Sequence, residues 1–421
     1  MAETTYVKFR NELMAGGADN EPGDDGTVGG RRAAIGIGVI IALLALLAMY
    51  SVWTFLFVVL LLVCIFLHEV GHFVTARWTG MKATQFFVFM GPKLWSFRRG
   101  ETEYGLRAYP IGAFVRIIGM NNLDEVAPED EPRAYRNQTY PRRMLVITAG
   151  SLMHMLIAIS LLFGVYATKG ALGETGEVGI AAVVAAGPAE GAGVKPGDKV
   201  RSIDGIAVTS ADQFVHAIQA HQPGEAAALL VDRDGSELTI DVGLGSNPNP
   251  GANFGKAYLG VQSADLRDWL PMSVASAAKR SVTDLWTQAW QSAGGVVKVL
   301  NPVNIWQHVS GSNTDPSTQP TTVVGVSRFS DLVGNDTGIA GVLLMLAGVN
   351  VFVGLFNMFP LLPLDGGHAA MATYERLRSR KGRPPYHADA AKMIPVAMAT
   401  MVALGFLMLS GLYLDFFRPV R

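Results

Sequence analysis

Four stretches of this chain are apolar over lengths that call for a bilayer or a deep core. The first, residues 33–67, holds no charged residue. About 20 residues cross a bilayer as a helix, so this run is too long for one untilted span and short for two. Tyr50 and Trp53 flank Ser51 and suit an interfacial turn. The pattern favours two short spans, 33–50 and 51–75, with one long helix as the alternative. Further spans are predicted over 143–168, 338–367 and 393–416, where His154, Asn350, Asn357 and Asp415 are among the few polar interruptions. The expected fold is a membrane α-helical bundle of four core helices, with 33–50 as a possible fifth.

Between the spans the periodicity changes. Phe86, Val88 and Met90, then Leu94, Trp95 and Phe97, then Leu106, Tyr109, Phe114, Val115 and Ile117 read as short strands. Turns are expected at Gly91-Pro92, Arg99-Gly100 and Pro110-Ile111-Gly112. Region 84–120 is too apolar for a loop and too broken for a helix, which predicts β structure at the membrane face. Residues 172–263 alternate β-like runs (180–185, 199–203, 227–232, 238–242) with one amphipathic helix, 210–220, which Ser210 would cap. They predict a soluble α+β domain. Residues 272–308 are amphipathic and carry Trp286, Trp290 and Trp306, as in a helical region lying on a membrane surface. A Pro/Thr-rich linker, 310–322, follows. Residues 1–32 are polar and rich in Gly and Asp, so a disordered tail is expected there, without a cleavable signal peptide.

Composition agrees with a membrane class: 16% of residues are charged, against about 25% in soluble domains. The net charge of −1 is uninformative, but the lack of a basic tract interleaved with aromatics argues against a nucleic-acid partner. Cys64 is the only cysteine, which excludes an internal disulfide and suits a small buried hydrophobe. Lys and Arg are unevenly spread. Arg77, Lys82, Lys93, Arg116, Arg133 and Arg143 follow the 51–75 span, and Arg376, Arg378, Arg380, Lys381 and Arg383 follow the 338–367 span. Both segments should be cytoplasmic, and the Lys/Arg-poor stretch 169–336, with the soluble domain, extracytoplasmic.

Chemistry concentrates at His68-Glu69-Val70-Gly71-His72. On a helix, residues four apart share a face, so two imidazoles can bind one Zn²⁺ while Glu69 serves an attacking water as general base. Two histidines and a glutamate at the end of an apolar span are expensive unless they have a function. A catalytic zinc takes a third protein ligand and keeps one open position. Asp365 is the best candidate, in Asn357-Met358-Phe359-Pro360-Leu361-Leu362-Pro363-Leu364-Asp365-Gly366-Gly367-His368. Two prolines break the helix before it, and irregular backbone at this depth should line a wet cavity. His368 reads as a cytoplasmic surface histidine, with metal binding as the alternative. Asn357 would hold the substrate backbone or an oxyanion, or else bridge helices. Asn350 reads as helix–helix glue, and His154 as a packing or hydrogen-bonding residue.

Together these motifs resemble the site-2 protease family of intramembrane metalloproteases, in particular the bacterial type that cleaves membrane-anchored anti-sigma factors. The resemblance implies zinc on His68, His72 and Asp365, Glu69 as base, and cleavage within the transmembrane segment of a single-span protein in the inner or plasma membrane. Tyr109-Pro110-Ile111-Gly112-Ala113-Phe114-Val115-Arg116-Ile117 is similar to the family's membrane-associated β-hairpin, which implies that substrate adds as a strand along Gly112, Ala113, Phe114 and Val115. Gly187-Pro188-Ala189, Gly193-Val194-Lys195-Pro196-Gly197-Asp198 and Ile203-Asp204-Gly205 make the soluble domain look like one PDZ unit. Two positions depart from the family pattern: Ala113 stands where a second glycine is frequent, and His154, four residues after Gly150, where asparagine is frequent.

Two other classes compete. A zinc transporter needs a polar path across the whole bilayer, whereas the titratable groups cluster near one end of the spans. A silent PDZ adaptor has no need of Glu69.

Overall fold

The computed structural model describes residues 30–120, 124–251, 253–299, 301–313, 315, 318–379 and 386–418. The tail expected over residues 1–32 lies outside this range up to residue 29, as do Arg380, Lys381 and Arg383. By internal packing the chain divides into two units, 1–165 with 275–421, and 166–274.

The first unit opens with α1 (Arg31–Tyr50) and α2 (Val52–Trp78). Ser51 between them is extended, at φ −157° and ψ 124°, and its side chain accepts the Thr54 N–H at 3.1 Å. That cap satisfies a donor the first helical turn leaves unpaired and allows the long apolar run to become two helices. Next come β1 (Ala83–Arg99) and β2 (Thr102–Ile117), an antiparallel pair closed where Arg99 faces Thr102. The turns expected at Gly91-Pro92 and Pro110–Gly112 are bends inside these strands. Gly91 and Gly112 supply the left-handed backbone there, at φ 85° and 71°. The bends let Phe86, Phe87 and Val88 stand opposite both Tyr104–Leu106 and Ala113–Val115. The 113–115 stretch thereby forms a border of the sheet.

Helix α3 (Tyr140–Thr168) returns across the bundle. The second unit is an antiparallel sheet of β3 (Ala171–Val183), β4 (Lys199–Ile203), β5 (Ile206–Ala207), β6 (Ala226–Arg233), β7 (Ser236–Gly243) and β10 (Val261–Leu270), in the order β10-β3-β4-β6-β7 with β5 on β4. Short helix α4 (Pro188–Ala192), helix α5 (Ala211–Gln219) and the small ladder of β8 (Gly245–Ser246) with β9 (Ala257–Tyr258) complete it. Its core is Val178, Ile180, Val200, Ile203, Phe214, Leu229 and Val231. Ser210 caps α5 through Gln213 N–H, and Asp265 of β10 takes the N–H of Ala211 at 2.6 Å.

The first unit resumes with α6 (Val274–Val299) and α7 (Pro302–Ser310), which divide the expected amphipathic region at Asn301, the cap of α7. Trp286, Trp290 and Trp306 are exposed along them. Helix α8 (Val323–Asn357) begins fifteen residues ahead of the expected span and ends ten before its expected limit. Thr322 caps its start, while Pro360 and Pro363 forbid continuation past Asn357. Gly338, the expected start, is a break inside the helix at φ 67° and ψ −158°. After a non-helical turn, α9 (Asp365–Arg378) begins at the candidate ligand itself, and α10 (Ile394–Phe417) ends the described chain.

Among the described residues, five helices are long and apolar enough to cross a membrane: α1, α2, α3, α8 and α10. Packing inside lipid is driven by close fit and hydrogen bonds rather than by water. Phe57, Leu61 and Cys64 of α2 lock against Val342 and Leu346 of α8. Trp53 Nε1–H donates to Asn335 Oδ1 at 3.0 Å, and Thr54 Oγ1–H to the Ser327 carbonyl at 3.0 Å. Helix α9 is fastened to α3 by a buried ion pair, Arg143 Nη2 to Glu375 Oε2 at 2.7 Å. Glu375 Oε1 also accepts the Ala388 N–H at 2.7 Å. Removing one partner strands a buried charge, so Glu375→Ala should destabilise the protein by about 3–5 kcal/mol. Thermal unfolding in detergent should show this, and Glu375→Leu paired with Arg143→Met should recover much of the loss.

Candidate active site

Helical spacing sets His68 and His72 on the inward face of α2, both buried, with Glu69 beside them at the edge of a cavity of about 270 Å³. The third side, Asp365, arrives from the first turn of α9. Its approach depends on the two glycines after it. A Cβ on Gly366 would lie 2.2 Å from the Met358 carbonyl oxygen, and one on Gly367 would lie 2.5 Å from the Leu362 nitrogen. Only bare backbone lets α9 sit this tightly against the turn that precedes it.

Three potential ligand atoms converge. His68 Nε2 and His72 Nε2 are 3.1 Å apart, and Asp365 Oδ2 lies 3.5 Å from the first and 3.3 Å from the second. Ligand atoms about 2.0–2.1 Å from a tetrahedral zinc stand about 3.3–3.4 Å from one another. His72 Nδ1–H donates to the Val146 carbonyl at 2.7 Å, which leaves the lone pair on Nε2. Asp365 Oδ2 is buried without a hydrogen bond. A buried carboxylate oxygen without a hydrogen bond beside two imidazole nitrogens suits a cation, so the residues present fit zinc. Glu69 stands aside from this triangle, its Oε1 3.9 Å from His68 Nε2.

Each of the other predicted site residues has a definite place. Asn357, at the end of α8, lines the cavity and holds Nδ2 at 3.4 Å from His68 Nε2. Ala113, Phe114 and Val115 form part of the cavity wall, and the Val115 N–H faces the Glu69 carboxylate. Gly112 sits at the bend just before them. His368 departs from the surface position expected of it: it lines the cavity, because a residue three after Asp365 shares its helix face. Its Nδ1 is buried without a hydrogen-bond partner, and it stays outside the converging ligand group.

Gly150 carries no side chain that would mark it in the sequence as part of a site. A Cβ there would lie 2.3 Å from His68 Cε1 and 2.4 Å from His72 Nε2. One turn of α3 thus forms the floor beneath both imidazoles. Gly71, inside the motif, serves the same contact from α2: its Cβ would meet the Ala149 carbonyl oxygen at 2.9 Å. Glycines at 71 and 150 were the available signal, and only their juxtaposition in space gives it meaning.

The family model of peptidase family M50 matches residues 56–404. The chain belongs to this family. It is 31% identical over 400 residues to the zinc metalloprotease Rip1 of Mycobacterium bovis (strain BCG / Pasteur 1173P2), an alignment covering 87% of this chain and 97% of that protein. Rip1 of Mycolicibacterium smegmatis is 31% identical over 392 residues, covering 85% and 94%. This M50 peptidase is thus a zinc metalloendopeptidase of the site-2 protease type and a multi-pass membrane protein.

Proposed function

We propose that this M50 peptidase hydrolyses peptide bonds inside the transmembrane segments of single-span membrane proteins such as anti-sigma factors, with His68, His72 and Asp365 holding its zinc. The convergence of three ligand atoms at 3.1–3.5 Å carries the assignment. Bound zinc supplies Lewis acidity, which makes water easier to deprotonate and a carbonyl easier to attack. The residues of the chain do the rest. Glu69 takes a proton from the attacking water and returns it to the amide nitrogen that leaves. Asn357 donates its amide N–H to the substrate's reacting carbonyl or adjoining backbone.

A transmembrane helix hides its amides in internal hydrogen bonds, so substrate must unwind before attack. The Gly112–Val115 border of the sheet offers an extended chain new backbone partners beside Glu69. The 166–274 unit, an antiparallel sheet with α5 capped by Ser210, is read as a PDZ-like domain on the extracytoplasmic side. The distribution of Lys and Arg supports an active site near the cytoplasmic side of the inner or plasma membrane.

The test is zinc content and cleavage of a tagged single-span membrane protein by purified variants. Asp365→Ala should lose both metal and cleavage, whereas His368→Ala should retain about one zinc per chain. The opposite result would make His368 the third ligand.

A further inference from the structure

Three helices meet in a hydrogen-bonded cluster just beyond the metal site, on residues the mechanism leaves unused. His154 of α3 and Asn350 of α8 are buried, at 2% and 1% exposure. Asn350 Nδ2–H donates to the Leu346 carbonyl at 2.8 Å and to Cys64 Sγ of α2 at 3.3 Å. Both amide hydrogens are thereby used, so the atom facing His154 Nδ1 at 2.8 Å is Oδ1 and the imidazole donates. Turning the amide over would set two carbonyl oxygens against each other. Asparagine orientation and histidine tautomer are therefore fixed by the same three contacts.

The cluster adjoins the site on two sides. The His154 ring packs on the His68 ring, with centroids 4.9 Å apart and planes at 40°. His68 needs such a neighbour. Its Nδ1 faces the Gly150 carbonyl without reaching hydrogen-bonding geometry, whereas the Nδ1 of His72 is held by Val146. On the second side, Asn357 follows Asn350 by two helical turns and so shares its face of α8. Between them Gly354 touches α3: a Cβ there would come within 3.0 Å of His154 Cβ and 3.3 Å of the Ser151 carbonyl oxygen. Sliding α8 along α3 would carry Asn357 away from His68 by the same distance.

We infer that the Asn350–His154 hydrogen bond is the positioning element of the active site, fixing the register of α8 on α3 and, through it, the ring of His68 and the amide of Asn357. This rests on the reading of His68 as a zinc ligand. His154 and Asn350 act through those residues, so they are positioning residues rather than catalytic ones. The His154 position tolerates a smaller donor on this view. An asparagine there places an amide N–H where the imidazole Nδ1–H stands, but phenylalanine keeps the ring and loses the donor.

The experiment measures zinc affinity by chelator competition, the visible absorption of the Co²⁺-loaded protein, and kcat and KM on a single-span substrate, all with the full chain. His154→Phe and Asn350→Leu should each weaken zinc binding by about 10–100-fold, shift the Co²⁺ bands and lower kcat with KM unchanged. His154→Asn should keep the wild-type spectrum and affinity, and the double variant His154→Phe/Asn350→Leu should be no worse than either single change. Should His154→Phe fail to fold, Asn350→Leu against His154→Asn gives the same comparison. Wild-type affinity and spectrum in the Phe or Leu variant would overturn the inference, as would an Asn variant as damaged as the Phe variant. A His68→Ala control that keeps its zinc would instead refute the ligand assignment beneath it.

Discussion

Gly150→Ala should cost the protein its metal as surely as removal of a ligand. The added methyl would stand 2.3 Å from His68 Cε1 and 2.4 Å from His72 Nε2, and neither ring can step aside cheaply. His72 is tied to the Val146 carbonyl one turn earlier on α3, at 2.7 Å, so helix and ring would have to move together. Separating α3 from α2 would relieve the clash but open the tight Gly71–Ala149 contact and spread the ligand triangle. Zinc affinity should fall by at least about 100-fold, the upper range for changes next to ligands, with activity falling in parallel. Gly164→Ala on the same helix, where a Cβ meets nothing within 4 Å, should leave both unchanged. Metal analysis of the two purified variants decides the point. Wild-type zinc in Gly150→Ala would mean that α3 yields more readily than these contacts allow.

The same position illustrates what could and could not be read in the sequence. Side chains that donate electron pairs announce themselves: His68, Glu69 and His72 by helical spacing, Asp365 by the prolines and glycines around it. The structure brings the three candidate ligands within reach of one ion. Gly150 contributes an absence, which acquires meaning only when another helix is known to press on it. The helix ends divide on similar grounds. Ser51, Ser210 and the Pro360/Pro363 pair are local signals, and each coincides with a boundary. Val323 begins α8 far ahead of the apolar stretch because Thr322 caps it and because Asp331 and Asn335 face the α1–α2 turn rather than lipid. A hydropathy pattern cannot foresee such a partner. In the soluble unit, β10 is not legible in the sequence because Gln262-Ser263-Ala264-Asp265-Leu266-Arg267-Asp268 lacks clean alternation. It pairs with β3 along one side, and this nonlocal ladder rather than its composition makes it a strand. The β1–β2 bends resemble turns in the sequence because Gly-Pro and Pro-x-Gly are turn-forming in isolation. Here the flanking residues continue the ladder on either side of each bend.

Glu69→Gln should separate metal binding from chemistry. Glutamine matches glutamate in shape and can still face the Val115 N–H, so the cavity wall and the strand beside it should stay in place. Glu69 is absent from the group whose ligand atoms converge, so about one zinc per chain should remain. What disappears is the ability to accept a proton from the attacking water. Loss of a general base lowers a rate by about 10²–10⁴-fold, equivalent to roughly 3–5.5 kcal/mol of transition-state stabilisation. Substrate affinity should be nearly unchanged, because the carboxylate's contribution arises as the proton moves. The measurement is cleavage of a tagged single-span substrate by wild type and variant, with zinc determined in each. Loss of zinc from the variant would make Glu69 a ligand and leave the base to be found elsewhere. Full activity with zinc retained would turn attention to His368, which lines the cavity and stands outside the converging group.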